Sequence, residues 1–482
     1  MKHMQAGVAH SALPTDIWRW EAWQIAAAIA RGDISSRDAV TSCLQRIDAT
    51  NPQINALTHV NRESALQAAD EADAKRSRGA SLGALHGVPV TIKCNVDVTG
   101  EPTTHGVVAK RDLIAQAHSP VTSNLLKAGA VIVGRTNTPA FSMRWFTENA
   151  LHGRTLNPWR HDITPGGSSG GASAAVAAGM CPVAHGNDLA GSVRYPAYAC
   201  GVAGLRPTAG RVPSWTPTSG ELRTFAAQFY AVQGPLARSV RDLRVSLAAM
   251  SARDTRDPNW VPAPLEGPAI DGPIRVALVD QIDGMTIAPP IREALACAAH
   301  WLEDAGYTVE RITPPDLREG FDIWMDIAMT EIAQGFAPTI DEYGDDGARA
   351  ALHAMLPKYG GAPTLERYMN GFARRDRLRR RWNAFLEQYP VVLMPTSLEL
   401  PLPWGMDLEG PATMARILDA QLPLKLIAAL NLPGLSVPTG LHDGVPVGVQ
   451  IVAGAFREDL CLAAGEAIEQ RAQMPLAFRG GA

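Results

Sequence analysis

Residues 166–171 read Gly-Gly-Ser-Ser-Gly-Gly and run directly into ASAAVAAGM at 172–180. Two serines between paired glycines fit a flexible linker, a phosphate-binding loop or the nucleophile elbow of a hydrolase. The linker is disfavoured because the flanking segments have ordered character, with a small-residue helix after the loop and Gly179 placed to cap it. A phosphate loop would end in GK[ST], and no lysine follows these glycines.

The nucleophile elbow is a closer match, because residues 166–170 fit G-x-S-x-G. An elbow should follow a buried strand, but the preceding segment NPWRHDITP is polar and ends in proline. Ser168 as an elbow nucleophile is therefore the weaker interpretation, and it stays open.

A second small-residue turn follows the apolar run CPVAHGND at 181–188. It reads LAGSVR at 189–194 and places Ser192 24 residues after Ser168. One helix and one strand fill that interval, so the glycine loop and this turn can meet. Backbone N–H groups of such a turn can form an oxyanion hole.

Lysine is rare in this chain, accounting for seven of 44 basic residues, and Lys93 ends the apolar run VPVTI at 88–92. A buried lysine can lose its proton and act as a base, whereas arginine keeps its charge. The alternative for Lys93 is a strand-end side chain that reaches solvent.

The composition is that of a globular protein: 482 residues, 46% hydrophobic and 19% charged. A net charge of −4 argues against nucleic acid as a partner. The six cysteines are scattered without a CxxC pair, as in reduced cytoplasmic proteins. The N-terminus has no apolar signal segment, and no apolar run reaches the roughly 18 residues of a membrane span. We expect a cytoplasmic protein without metal, cofactor or membrane contact.

Helical periodicity alternates with short apolar runs along most of the chain. Helices are predicted at 18–30 and 36–47, with Ser35 or Ser36 as the N-cap. Strands are predicted at 88–95, 130–137, 181–188, 274–280, 391–397 and 447–454. This alternation predicts an α/β fold, a single α/β/α sandwich around a large, mainly parallel mixed sheet. Residues 315–390 lack strand signals and are predicted to form a helical excursion.

The glycine loop, the turn and Lys93 together resemble the amidase signature family. The signature covers residues 166–208, and the similarity runs from about 16 to 470, weakest at 255–390. The resemblance implies one domain over 1–482, with N-terminal helices at 16–80, a catalytic core at 81–254, a lid-like excursion at 315–390 and C-terminal core elements at 391–475.

The resemblance also implies amide hydrolysis by a Ser–cis-Ser–Lys triad. Ser192 would be the nucleophile, Ser168 the relay serine on a cis peptide bond and Lys93 the base. The implied oxyanion donors are the N–H groups of Leu189, Ala190, Gly191 and Ser192, and the implied structural supports are Gly167, Ser169, Asp188 and Arg194.

Three positions depart from the family pattern. Cys94 replaces the aspartate usual after the base lysine, and it could be a reactive thiol or a buried inert one. Ala190 replaces a glycine but keeps its N–H group. Arg206 stands where a lysine is usual.

Aromatic and methionine side chains near the signature and in the excursion are the candidates for substrate contact. They are Met143, Trp145, Phe146, Trp324 and Tyr359. We expect a small-molecule substrate with an apolar or aryl group, and an amide, anilide, carbamate or ester would fit the acyl-enzyme route. We also expect residues 315–390 to set specificity without supplying chemistry.

Two other functions stay open at this point. One is the glutamine-hydrolysing component of a tRNA-dependent amidotransferase, and the other is a non-catalytic binding protein on the same fold. A homodimer is an expected state of assembly.

Overall fold

The structure is a computed structural model that describes residues 16–220, 222–360, 362–472 and 474–477. The strands are β1 Leu57–Val60, β2 Pro89–Lys93, β3 Val131–Thr136, β4 Glu148–Asn149, β5 Gly153–Arg154, β6 Val183–Asp188, β7 Ala203–Arg206, β8 Val232–Ala237, β9 Arg275–Leu278, β10 Thr308–Arg311, β11 Val391–Pro395, β12 Gly434–His442 and β13 Val445–Ala453. The helices are α1 Ala22–Arg31, α2 Ser36–Ile54, α3 Arg62–Ser77, α4 Pro120–Lys127, α5 Gly170–Ala177, α6 Arg194–Cys200, α7 Phe225–Phe229, α8 Val240–Met250, α9 Pro289–Asp304, α10 Leu317–Trp324, α11 Ala337–Tyr343, α12 Asp346–Tyr359, α13 Leu365–Gln388, α14 Pro411–Ala420, α15 Leu422–Leu430 and α16 Glu458–Ala472.

Within the described residues, eleven strands form one mixed sheet in the order β1-β3-β2-β6-β8-β7-β12-β13-β11-β9-β10. Pairing is parallel in the blocks β3-β2-β6 and β11-β9-β10, and the strands between and beside these blocks pair antiparallel. Strands β2, β3, β11 and β13 are buried at every residue. Both faces of the sheet are therefore covered, and the predicted α/β sandwich around a large mixed sheet is confirmed.

The predicted strands correspond to β2, β3, β6, β9, β11 and β13. The prediction missed β1, β7, β8, β10 and β12 of the main sheet. Strands β7, β8 and β12 carry glycine or proline, which weakens a strand signal, and β1 and β10 are only four residues long. At the N-terminus, the Ser35 side chain accepts from the Asp38 N–H at 3.0 Å and caps α2 as predicted. Helix α2 then continues to Ile54, beyond the predicted end at 47.

The regular structure of the described residues in 315–390 is helical. Helix α10 passes into a π-helical segment at Met325–Met329, and a second π-helical segment spans Ile332–Phe336. A Cβ added at Gly320 of α10 would lie 2.1 Å from Leu426 of α15, so these two helices are in close contact. The buried Trp382 of α13 donates its indole N–H to the Pro315 carbonyl at 2.8 Å.

Candidate active site

The candidate site forms where two parallel strands end. Strands β2 and β6 pair in register at Val90–Val183, so their carboxyl ends lie at the same edge of the sheet. Lys93 is the last residue of β2, and Asp188 is the last residue of β6. Ligands of open α/β sheets bind outside such carboxyl ends.

Lys93 is completely buried and lies among three oxygen atoms. Its Nζ is 2.7 Å from Ser168 Oγ, 3.1 Å from Ser169 Oγ and 2.9 Å from Asn187 Oδ1. Burial lowers the pKa of Lys93 from 10.5 to about 7, because the charged ammonium loses its hydration. A large fraction of this amine is therefore neutral at neutral pH, as a base requires.

The glycine loop places Ser168 against Lys93. The Gly167–Ser168 peptide bond is cis. A Cβ at Gly167 would lie 2.2 Å from the Arg144 carbonyl oxygen, so the chain passes too closely for any larger residue. The loop also contacts the turn, because the Ser169 N–H donates to the Ser192 carbonyl at 3.2 Å.

Asp188 organises the turn that carries Ser192. Its buried carboxylate accepts from the N–H groups of Gly191 and Val193 and from the guanidinium groups of Arg194 and Arg206, at 2.8–3.2 Å. Burial alone would raise the pKa of this carboxyl, but the two arginines and these hydrogen bonds hold it well below its usual value. Asp188 and Arg194 thus form a buried ion pair that fixes the turn.

The backbone donors of this turn are not equivalent. The Gly191 N–H, one of the four oxyanion donors that the resemblance implies, already donates to Asp188 Oδ1 at 2.8 Å. Within the described residues, the N–H groups of Leu189, Ala190 and Ser192 have no hydrogen-bond partner. These three groups are available to a developing negative charge.

Ser168 and Ser192 line the same cavity of about 500 Å³. Ser192 is partly exposed, whereas Ser168 is 1% exposed. Three of the predicted substrate-contact residues also line this cavity: Met143, Trp145 and Trp324. The site therefore has an apolar, aromatic wall beside a pair of serines.

Phe146 and Tyr359 are not among the described residues that line the cavity. Phe146 is fully buried and packs edge-to-face against Trp404, with ring centroids 5.8 Å apart. The Tyr359 hydroxyl lies 2.6 Å from Thr330 Oγ1, within the helical region formed by the described residues of 315–390. The sequence pattern does not distinguish these core aromatics from wall residues, because both are apolar positions near the signature or in a helix.

Several cavity residues were missed from the sequence. Asn187 contacts Lys93, and its Nδ2 donates to Asn95 Oδ1 at 3.0 Å. The position of Asn187 directly before Asp188 was the signal that could have identified it. The described residues of 214–224 contribute Trp215 and the 97% exposed Leu222 to the cavity, and only the three-dimensional fold brings this segment to the site.

Besides Ala190, whose N–H group is retained, the family pattern is broken at Cys94 and Arg206, and the structure explains both positions. Cys94 is buried, and burial raises the pKa of its thiol, so it is an unreactive thiol rather than a thiolate. Arg206 Nη1 donates to the carbonyls of Asp188 and Tyr230 at 2.7 and 2.8 Å, so this arginine supports the turn.

Among the described residues, no cluster of three His, Cys, Asp or Glu side chains could hold a metal ion. None of the described helices is long and apolar enough to cross a membrane.

Comparison with known proteins identifies the family. The sequence model of the Amidase family matches residues 38–462. Indoleacetamide hydrolase of Bradyrhizobium diazoefficiens is 45% identical over 95% of this chain and 87% of its own length. A glutamyl-tRNA(Gln) amidotransferase subunit of Chloroflexus aurantiacus is 32% identical over 92% of this chain and 95% of its own. The crystal structure of a bacterial aryl acylamidase of the amidase signature family superposes with a TM-score of 0.81 at 26% identity, covering 94% of this chain and 96% of that one.

The chain belongs to the amidase signature family. Its reaction class is the hydrolysis of non-peptide amides, and the predicted family, fold class and reaction class are confirmed.

Proposed function

We propose that this protein hydrolyses primary amides of aryl-substituted acetic acids, with indoleacetamide as the reference substrate. The observation that carries the catalytic part is the buried contact of 2.7 Å between Lys93 Nζ and Ser168 Oγ, at a cavity that also contains Ser192. The substrate class is supported by the 45% identity to an indoleacetamide hydrolase and by the aromatic wall of Trp145 and Trp324.

In the proposed mechanism, Ser192 Oγ attacks the amide carbonyl and passes its proton to Ser168. Ser168 passes its own proton to the neutral Lys93 amine, which becomes an ammonium. The carbonyl oxygen becomes an oxyanion that accepts from the free N–H groups of Leu189, Ala190 and Ser192.

Collapse of this intermediate breaks the C–N bond, and the relay returns the proton to the departing nitrogen, which leaves as ammonia. Water then attacks the acyl-Ser192 ester and gives up a proton to the same relay. Release of the carboxylic acid restores Ser192 with its hydroxyl. Over the full cycle Ser192 gives up one proton in acylation and regains one in deacylation, and Ser168 carries each proton to and from Lys93, so no histidine is required.

The other polar contacts of Lys93 support this direction of proton transfer. A neutral amine has two N–H donors and one lone pair. Asn187 Oδ1 can only accept, and Asn187 Nδ2 is occupied with Asn95. With Ser169 Oγ accepting the second N–H, the remaining lone pair is directed at the Ser168 hydroxyl.

The experiment is a hydrolysis screen of the purified chain over indoleacetamide, phenylacetamide, aliphatic amides, anilides, carbamates and esters. Wild type should favour the arylacetamides, and Ser192→Ala should lose about 10⁴-fold or more in kcat. Ser219→Ala is the matched control, because Ser219 also lines the cavity and is exposed at the end of the 3-10 turn Pro217–Ser219. Near-normal turnover by Ser192→Ala would refute the nucleophile, and an equal rate on every amide would refute the substrate class.

We propose a cytoplasmic location, in keeping with six free cysteines, five of them buried. A homodimer stays a prediction that sedimentation of the purified protein tests. Co-purification of the native protein with partner subunits and tRNA-dependent glutaminase activity would instead support the amidotransferase alternative.

A further inference from the structure

Three carbonyl groups of the Ser192 turn are each held by a hydrogen bond. The carbonyl of Asp188 accepts from Arg206 Nη1 at 2.7 Å, that of Leu189 from Trp324 Nε1 at 3.2 Å, and that of Gly191 from the Tyr195 N–H at 2.7 Å.

These carbonyls belong to the same peptide groups as the three free donors. In a trans peptide the C=O and the following N–H point in opposite directions and rotate together. Among the described residues, Gly167–Ser168 is the cis bond, so the peptides of the turn are trans. Holding a carbonyl therefore fixes the direction of the N–H groups of Leu189, Ala190 and Ser192.

The three hydrogen-bond donors differ in where they lie in the chain. Arg206 and Tyr195 belong to the signature segment itself. Trp324 comes from the helical region more than 100 residues later, as the last residue of α10, where the helix passes into the π-helical segment Met325–Met329. π-Helical turns within helices are frequent at functional sites.

Packing holds the Trp324 ring in place. Trp324 is 4% exposed, and its ring centroid lies 5.7 Å from Lys425 Nζ, which also lies 4.9 Å from the Trp145 ring. A rotation of the Leu189–Ala190 peptide would break the Trp324 hydrogen bond and turn the Ala190 N–H away from its present direction. The indole N–H thus acts on a backbone donor and not only on the shape of the cavity.

We propose that Trp324 is a positioning residue of the reaction, whose indole N–H fixes the Leu189–Ala190 peptide so that the Ala190 N–H stays available to the oxyanion. This role rests on the proposed function, because it matters only if Ser192 forms a tetrahedral intermediate. It means that the helical region contributes to the rate of the chemical step as well as to specificity.

The test compares Trp324→Phe with Trp145→Phe. Both residues line the cavity, and Trp324 is the one whose indole N–H bonds to the turn. Trp324→Phe should lower kcat about 10-fold with KM within about twofold, less than the 10²–10³-fold loss of a whole oxyanion donor. Trp145→Phe should change KM more than kcat. Replacing Trp324 by 3-benzothienylalanine, which keeps the ring shape but lacks the N–H, should repeat the kcat loss.

Two inhibitors separate positioning from packing. An aryl trifluoromethyl ketone would form a tetrahedral adduct with an oxyanion, whereas the matching 2-arylethanol fills the cavity without one. In Trp324→Phe and in the benzothienyl variant, ketone affinity should fall in parallel with kcat, and alcohol affinity should stay within about twofold.

Equal losses of both affinities, or unchanged kcat in the benzothienyl variant, would overturn the proposal. If wild type neither hydrolyses arylacetamides nor binds the ketone, the proposed function fails and this role falls with it. That outcome appears in the wild-type control, before any variant is compared.

Discussion

Two lysines are completely buried in the part of the chain that the structure describes, and their surroundings differ in polarity. Lys93 has three oxygen atoms within 3.1 Å of its Nζ. Lys425 Nζ has no hydrogen-bond partner in the described residues and lies 4.9–5.7 Å from the ring centroids of Trp145, Phe321 and Trp324. Burial lowers the pKa of both lysines from 10.5 to about 7.

The comparison separates two requirements of a catalytic lysine. Burial alone provides a neutral amine at neutral pH, and both residues meet that condition. Proton transfer also needs a hydroxyl within hydrogen-bond distance, and only Lys93 has one, on Ser168. A shifted pKa is therefore insufficient to identify the base, and the hydrogen-bond partners decide.

The largest expected difference is in turnover. Lys93→Met keeps much of the side-chain volume and removes the base, and it should lower kcat about 10³-fold. Lys93→Arg should fail similarly, because arginine stays protonated. Lys425→Met should keep kcat within about threefold, as measured on indoleacetamide at pH 8.

A single result would reverse the assignment. If Lys425→Met loses as much turnover as Lys93→Met while both variants remain folded by circular dichroism, Lys425 takes part in the chemistry and the distinction drawn from hydrogen-bond partners is wrong.

The second prediction concerns the pH dependence of the rate. Because the base must be neutral, kcat/KM should rise with pH through the folded pKa of Lys93, about 7, and reach a plateau above it. Lys425→Met should keep the same apparent pKa, since its side chain is not in the relay. A profile of kcat/KM from pH 5 to 10 on a neutral amide measures both. Loss of the acidic limb in Lys425→Met would show that this ionisation belongs to Lys425 and not to Lys93.

The sequence was sufficient for Lys93 and insufficient for Lys425. Lys93 stands at the end of an apolar strand and within a recognisable family pattern, so its burial and its partners could be inferred. Lys425 lies in LPLKLIAAL, a helix in which all nine residues are buried. From sequence alone, a single lysine in an apolar helix could equally extend its side chain into solvent. The packing of α10 against α15 shows that Lys425 does not.

The same limit explains which features around the site could be predicted from the sequence. Short-range patterns predicted the glycine loop, the turn and six strands, because each depends on residues close in sequence. The contact of Trp324 with Leu189 joins residues 135 apart, and the lining by Trp215 depends on a loop that no periodicity describes. The bond from the Gly191 N–H to Asp188 could not be predicted either, because it depends on side-chain orientation.

The third prediction concerns stability. A buried amine without a hydrogen-bond partner destabilises the folded state, so Lys425→Met should raise the free energy of unfolding by about 1–3 kcal/mol at pH 7. The native protein releases the Lys425 proton near pH 7, whereas the unfolded chain keeps it to about 10.5. The free energy of unfolding of the wild type therefore rises with pH across that interval, and the difference between Lys425→Met and wild type should shrink. Urea unfolding at pH 7 and 9 checks this, and a destabilised variant at both pH values would contradict it.

The smallest expected effect is on substrate affinity. The Lys425 ammonium contacts Trp145 and Trp324, which line the cavity, and a cation–π contact of this kind contributes about 0.5–2 kcal/mol when it is desolvated. Burial lowers the pKa of Lys425 more than the nearby Asp419 raises it. The ammonium is therefore lost as the pH rises through about 7. The two tryptophan rings should then be held less firmly, and KM for indoleacetamide should rise about twofold between pH 6 and 9 in wild type. Lys425→Met should show a KM independent of pH over that range.

Tyr359→Phe is the matched control, because the Tyr359 hydroxyl bonds to Thr330 away from the cavity lining and its loss should leave both KM and its pH dependence unchanged. A pH-dependent KM that persists in Lys425→Met would show that the ammonium has no influence on the aromatic wall, and Lys425 would then contribute only its burial cost.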